Sequence, residues 1–169
     1  MSKRSFSAPL WTATNVADTT AMANSVYQTL AGGSTTSILL VKEIYMGGLG
    51  TASVPANMVF ARDSTIATTP AALSSPVTDG PMNNSANGLS TAPLAHTLSA
   101  AGPQRSSVTT LPRLNLGFNA FGGIVRWVAP PEQDWWIIGN GASVQSTLSC
   151  AGAVSTSATL SSHIIYEPL

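Results

Sequence analysis

The chain has 169 residues and no formal net charge, and only 8% of its residues are charged although 44% are hydrophobic. This length predicts one domain with room for a real core, and positive mean hydropathy at zero net charge argues against disorder. A neutral chain has no electrostatic basis for binding nucleic acid, and no apolar run approaches the roughly 18 residues of a membrane helix.

Serine, threonine, alanine, asparagine and glycine replace the missing charge. Such a surface repels its own copies only weakly, so it tends to associate, and we expect partners to cover much of it. The single Cys150 excludes an internal disulfide and any cysteine-based zinc site, as expected in a reducing compartment. The basic start is not followed by an apolar stretch, so no secretory signal is predicted.

Residues 1–14 are predicted to form an N-terminal arm. Lys3 and Arg4 are the only adjacent pair of basic residues, and Phe6 and Trp11 follow them. Because exposed aromatic side chains usually mark a contact surface, these four residues are predicted to bind a partner. A solvated, frayed terminus is the alternative.

Two strands are predicted in the first half of the remaining domain, which spans residues 15–169. Residues 37–46 form an apolar run bounded by glycine, typical of a strand buried on both faces, and residues 57–62 form the second strand. The glycine-rich residues 47–50 predict a turn between them. Residues 15–30 are compatible with either a short helix or an extended chain.

Residues 63–112 change character, with repeated prolines in a serine-, threonine- and alanine-rich background. A loop of that length is unusual in a compact domain and normally has a function. We predict long surface excursions that are ordered against a neighbour. Short strands within 95–99 and 107–111 are compatible with this proline density.

The last third returns to strand-like chemistry, interrupted by a Pro130-Pro131 corner. The strand after this corner is predicted to pair with the strand before it. Repeated short strands with turns between them are typical of a sandwich or jelly roll. The sequence therefore predicts an all-β fold, an antiparallel β-sandwich with jelly-roll-like connections. The predicted strands are 113–117, 124–128, 134–138, 143–150, 154–160 and 162–166.

Three segments in this third carry a resemblance: 121–131 (FGGIVRWVAPP), 136–139 (WIIG) and 161–169 (SSHIIYEPL). Together they resemble the C-terminal portion of small proteins from the head-gene region of tailed bacteriophages, the capsid decoration or cement proteins. The last strand is also similar to tumour-necrosis-factor-like jelly rolls, which commonly form trimers.

This resemblance implies a non-catalytic structural protein that binds the outside of a phage capsid and stabilises it. The implied partners are the major capsid protein and further copies of the chain, as a homodimer or homotrimer. The implied location is the capsid surface of the virion, after synthesis in the host cytoplasm. Neither nucleic acid nor a membrane is an expected partner.

Trp135 and Trp136 suggest an alternative function. Exposed aromatic rings stack on sugars or bases, so the chain is alternatively a carbohydrate- or receptor-binding β-sandwich module of a fibre or adhesin. Adjacent strand residues point to opposite faces, so one tryptophan is predicted to be in the core. Trp135 is predicted to contact a partner, together with the residues of the arm.

The residues that usually carry catalysis or bind metals do not form a recognisable pattern. His96 and His163 have no Cys, Asp or Glu at ligand spacing. Ser143, His163 and Asp134 form a triad only on paper, because no GxSxG elbow surrounds a serine. The oxygens of residues 132–134 are too few for a calcium cage. We therefore predict no enzyme activity, and no catalytic, cofactor-binding or metal-binding residues.

Overall fold

The computed structural model describes residues 5–11, 28–31, 38–63, 71–72, 94–97, 111–132, 135–138, 147–154 and 158–168. Their regular elements are all β-strands, and every pairing between them is antiparallel. This confirms the predicted all-β, antiparallel class. The strands are β1 (Phe6–Trp11), β2 (Gln28–Ala31), β3 (Ile38–Gly50), β4 (Pro55–Asp63), β5 (Ala71–Ala72), β6 (Leu94–Thr97), β7 (Leu111–Asn119), β8 (Phe121–Val128), β9 (Trp135–Ile138), β10 (Thr147–Val154) and β11 (Ala158–Pro168).

The strands form two sheets. Sheet A has five strands in the order β1-β11-β3-β8, with β9 also paired to β3. Sheet B has six strands in the order β5-β6-β2-β10-β4-β7. Among the described strands, only β5 and β6 are both consecutive and paired. The chain passes between the two sheets six times along these strands, and the structure describes every residue of two of these connections, β3–β4 and β7–β8.

Buried apolar side chains from both sheets form a single hydrophobic cluster. Sheet A contributes Phe6, Ile44 and Tyr166, and sheet B contributes Met58 and Phe60, all at most 1% exposed. Strand alternation produces this burial, since every second residue of a strand points to the same face. Each large apolar side chain removed from water contributes about 1.5–3 kcal/mol, so this shared cluster holds the core together.

The last described strand lies inside sheet A. Strand β11 is paired on one side with β1 and on the other with β3. The rings of Phe6 and Tyr166 stack with centroids 6.0 Å apart. The predicted arm therefore differs from the structure over Phe6–Trp11, because Phe6 packs against a residue from the other end of the chain.

The strand after the Pro130-Pro131 corner pairs differently from the prediction. Strand β9 pairs with residues 38–41 of β3, along the same edge at which β8 pairs with residues 43–49. Because β8 and β9 are both antiparallel to β3, they run in the same direction and cannot form a hairpin. The two prolines keep the chain extended instead of reversing it.

The glycine-rich residues 47–50 belong to β3 and do not form the predicted turn. A Cβ atom on Gly48 would lie 2.6 Å from both the Cα and the carbonyl oxygen of Ala120. The Ala120 carbonyl also accepts a hydrogen bond from the Gly50 nitrogen at 2.7 Å. Close packing of the β7–β8 connection on β3 therefore explains the glycines, and the chain turns after Gly50.

Asn119 links the β3–β4 connection to the β7–β8 connection. Its Oδ1 accepts hydrogen bonds from the backbone nitrogens of Val54 at 3.2 Å and Phe121 at 2.9 Å. Its Nδ2 donates to the Ser53 hydroxyl at 2.7 Å, and the Ala120 nitrogen donates to the Val54 carbonyl at 2.8 Å. One side chain thus fixes both connections.

The other strand predictions are confirmed where the structure describes them. Strands β4 and β7 cover the predicted segments 57–62 and 113–117, and β6 overlaps the short strand predicted within 95–99. The predicted strand 154–160 is divided, since Val154 ends β10 and residues 155–157 lie outside the described part. Residues 158–160 continue without a break into the predicted strand 162–166 as β11. The predicted excursion 63–112 contains β5, β6 and the start of β7, and its other residues after Asp63 lie outside the described part.

Candidate functional site

A β-bulge in β3 places two charged residues side by side on the outer face of sheet A. Tyr166 is opposite Val41 and Ile165 is opposite Glu43, so Lys42 is the extra residue. Val41 and Ile44 both point into the core, and Lys42 and Glu43 between them both point outwards. An extra residue of this kind re-aims side chains and often occurs next to functional sites.

Glu43 belongs to a cluster that spans three neighbouring strands, which we call the Tyr45 cluster: Glu43, Tyr45, Arg126 and His163. Pairing places His163 of β11 opposite Tyr45 of β3, and Tyr45 opposite Arg126 of β8. The Tyr45 hydroxyl donates to Glu43 Oε2 at 2.6 Å, and Arg126 Nε and Nη2 donate to the same oxygen at 3.0 and 2.7 Å.

The rings of the Tyr45 cluster are also in contact. The Arg126 guanidinium carbon lies 5.2 Å from the centre of the Tyr45 ring, within the range of a cation–π interaction. The His163 ring packs on the other side, with its centroid 6.0 Å from that of Tyr45. Its Nε2 is buried without a hydrogen-bond partner.

These contacts set the protonation states of the cluster. The hydrogen bond from Tyr45 lowers the pKa of the Glu43 carboxyl against the opposing effect of burial, and Arg126 lowers it further. The same hydrogen bond raises the Tyr45 pKa, and Glu43 raises the Arg126 pKa. Burial lowers the pKa of His163, partly offset by Glu43. At neutral pH the cluster therefore holds one carboxylate, one guanidinium, a neutral phenol and a neutral imidazole.

A second ion pair lies beside the cluster. Lys42 Nζ is 3.4 Å from Glu167 Oε2, and the Ser5 hydroxyl donates to Glu167 Oε1 at 3.5 Å. The two ion pairs, Lys42–Glu167 and Arg126–Glu43, together neutralise two positive and two negative side chains. These four charges therefore cancel on the outer face of sheet A.

An open groove, the Pro130 groove, begins at this ion pair and ends at the Pro130-Pro131 corner. Its volume is about 480 Å³. On its rim, Glu132 adopts a left-handed backbone conformation with φ of 63°, which non-glycine residues rarely do. The groove is lined by Ser5, Lys42, Glu43, Val128, Ala129, Pro130, Pro131, Glu132, Ile165 and Glu167.

Strand β8 carries an apolar surface along the edge of sheet A. Phe121, Ile124 and Val128 are 58%, 79% and 48% exposed. Ile124 and Val128 flank Arg126 on the outer face, since the exposed residues of β8 alternate with partly buried ones. Large side chains exposed together along a strand indicate a surface that another molecule covers.

The predicted partner-binding residues are not brought together in this face. Phe6 is 1% exposed and belongs to the core, so in this structure it cannot anchor an exposed arm. Trp11 lies in β1 opposite Ser161, and Trp135 lies in β9 opposite Val41. Lys3 and Arg4 lie outside the described residues.

Sequence reasoning did not identify the Tyr45 cluster. The alternation of residues 43–46 and of residues 124–128 contained a usable signal, because polar side chains at every second position mark the outer face of a strand. The contacts between strands could not be predicted from the sequence, since Glu43, Arg126 and His163 come from distant parts of the chain. The β-bulge at Lys42 further breaks the alternation.

The described residues contain no helix that is long and apolar enough to cross a membrane. In the same part of the chain, no group of three or more His, Cys, Asp or Glu side chains is arranged to hold a metal ion. No protein-family model matches the chain, and no curated protein matches it at a significant level.

Proposed function

We propose that the chain is a structural virion protein that binds the outside of a phage capsid and stabilises it, without catalysis. In this proposal the two sheets form a β-sandwich with jelly-roll-like connections, and the partners are the major capsid protein and further copies of the chain. The observation that carries it is the exposed apolar edge of sheet A, formed by Phe121, Ile124 and Val128.

The charges next to this edge support an adhesive surface. Glu43 and Arg126 compensate each other, as do Lys42 and Glu167. A partner that covers this face therefore buries no unpaired charge from these residues, which would otherwise be costly. Apolar residues beside compensated charges are suited to a permanent contact with a protein shell.

The decisive experiment compares phage particles assembled with and without the chain. We expect particles that lack it to release their DNA at a lower temperature, and the purified protein to restore the original temperature when added back. An Ile124→Lys variant should restore it less well. Asn57→Lys, at an exposed position of sheet B, is the matched control. Absence of the chain from purified particles, or unchanged particle stability, would contradict the proposal.

The Pro130 groove favours a second candidate function, a carbohydrate- or receptor-binding module of a fibre or adhesin. Its volume of about 480 Å³ lies within the range of small-ligand sites, and its lining includes three carboxylates and the Ser5 hydroxyl, groups that can bind sugars. A glycan array with the wild-type protein and a Glu167→Gln variant tests this candidate. Binding that is weakened by Glu167→Gln supports it, and the absence of binding by the wild type rejects it.

A further inference from the structure

Strand β8 has a hydrogen-bonding edge that no other described strand uses, since β8 pairs only with β3. The Ala129 nitrogen donates to the Lys42 carbonyl at 2.8 Å, in register with the β3–β8 pairing. Successive residues of an antiparallel strand bond in opposite directions. The N–H and C=O groups of Ile124, Arg126 and Val128 therefore point away from β3.

The other outer strands are protected against further pairing. Strand β1, at the opposite edge of sheet A, contains Pro9, and β7, at the edge of sheet B, contains Pro112. Strand β5, at the other edge of sheet B, has only two residues, and β9, which pairs with β3 along the same edge as β8, has only four. Proline and short length are common means of blocking an edge. Strand β8 has eight residues and no proline.

The side chains of β8 favour a partner that resembles β8 itself. Ile124 and Val128 are exposed and apolar, and the charge of Arg126, between them, is compensated by Glu43 at 2.7 Å. A second copy of the chain presents the same free edge, the same apolar residues and the same compensated charge. Pairing two such edges covers apolar surface and leaves no new charge unpaired.

Electrostatics and backbone chemistry together select the register of such a pair. A two-fold axis at Arg126 would place two arginines directly opposite each other, which is destabilising. An axis at Trp127 or Val128 would place Pro130, which has no N–H group, opposite Ile124 or Arg126. An axis at Gly123 or Ile124 would place Arg126 or Val128 opposite Ala120, whose N–H and C=O groups already bond to Val54 and Gly50. An axis at Val125 places Arg126 opposite Ile124 of the second copy, with the outward N–H and C=O groups of both residues facing each other.

We propose that two copies of the chain associate through antiparallel pairing of β8 with β8 about a two-fold axis at Val125. Sheet A then continues across both copies, and Ile124 of each copy is covered by the aliphatic part of Arg126 of the other. This inference deepens the proposed function by naming the surface that joins copies. It can be tested on the isolated protein, independently of any capsid.

The experiment measures the mass of the full-length protein in solution by light scattering and sedimentation over a series of concentrations. We expect the wild type to be a dimer. Ile124→Lys places a lysine opposite Arg126 at both symmetric positions, so we expect dimerisation to weaken about tenfold or more. Ile124→Glu places a carboxylate opposite Arg126, so this variant should dimerise much more strongly than Ile124→Lys.

Asn57→Lys, exposed on β4 of sheet B, is the control and should dimerise like the wild type, and circular dichroism should be the same for all four proteins. A wild type that is monomeric at every concentration would overturn the interface, as would an Ile124→Lys variant with unchanged dimerisation. Equal weakening by Ile124→Lys and Ile124→Glu would overturn the Val125 register. A dimer that fails to bind phage particles would count against the proposed function and leave this interface intact.

Discussion

Replacement of Gly48 by Ala should be one of the most destabilising single-methyl changes in the chain. The new Cβ would lie 2.6 Å from the Cα and the carbonyl oxygen of Ala120, where ordinary contacts are at least 3.4 Å. These are backbone atoms, and hydrogen bonds to Gly50 at 2.7 Å and to Val54 at 2.8 Å hold them in place. No side-chain rotation can relieve the overlap.

The expected size of the effect follows from these contacts. Overpacking of a well-packed core costs about 1–3 kcal/mol, and moving Ala120 weakens two backbone hydrogen bonds worth about 0.5–1.5 kcal/mol each. We therefore expect Gly48→Ala to lower the free energy of unfolding by about 2–6 kcal/mol. That is a large part of the roughly 5–15 kcal/mol of a typical domain.

Gly117 provides the matched control. It is exposed on β7, and a Cβ added there would meet no atom within 4 Å. Gly117→Ala should therefore be neutral or stabilise the fold by up to about 1 kcal/mol, because alanine restricts the unfolded chain. Urea unfolding of both variants measures the difference, as a shift of the midpoint at constant slope. Equal midpoints for Gly48→Ala and Gly117→Ala would refute the close packing of Gly48 on Ala120.

Three further predictions concern the core and the Tyr45 cluster. Phe6→Ala should lower the free energy of unfolding by about 3–5 kcal/mol, and a loss below about 1 kcal/mol in urea unfolding would contradict the core position of Phe6. The pKa of His163 is lowered from its ordinary value of 6.5. On acidification the unfolded state therefore binds a proton at His163 at a higher pH than the folded state does, and the free energy of unfolding should fall as the pH drops below 6.5. His163→Gln should flatten this part of a stability–pH profile, and an unchanged profile would contradict the argument. The pKa of Glu43 is also lowered. Glu43 therefore stabilises the fold above its ordinary pKa of 4.5, and this stabilisation is lost as the pH falls through the pKa that Glu43 has in the folded protein. Glu43→Gln should remove that loss and bring the Tyr45 pKa back towards 10.0 in an ultraviolet titration, whereas an unchanged tyrosine titration would contradict the Tyr45–Glu43 hydrogen bond.

The sequence predicts strands better than it predicts their partners. Apolar runs and alternation located β3, β4, β7 and β8, because burial of a strand leaves a local pattern. The partner of β9 could not be predicted, since pairing with β3 depends on residues about a hundred positions away. For the same reason the sequence of residues 47–50 predicts a turn, although Gly48 and Gly50 pack against Ala120 within β3.

The candidate site was less predictable than the fold. Phe6 and Trp11 were assigned to an exposed arm because aromatic residues in a polar segment suggest docking. Phe6 is buried because Tyr166 lies opposite it, and no local pattern reports a contact over that distance. The Tyr45 cluster depends on the β-bulge at Lys42 and on two long-range pairings. Its charges therefore looked scattered along the sequence.

The strand order of sheet A has a consequence for folding kinetics. Strand β1 pairs with β11, and β11 and β8 pair with β3, so none of these pairings forms between strands that follow each other in the chain. Closing such long loops costs entropy before any contact repays it, and folds of this kind take milliseconds to seconds to form. Until β3 is in place, both edges of β8 are unpaired, whereas the folded sheet covers the edge that bonds to β3. A second copy that meets the chain during this time can pair with the edge that belongs to β3, and this favours aggregation at high concentration.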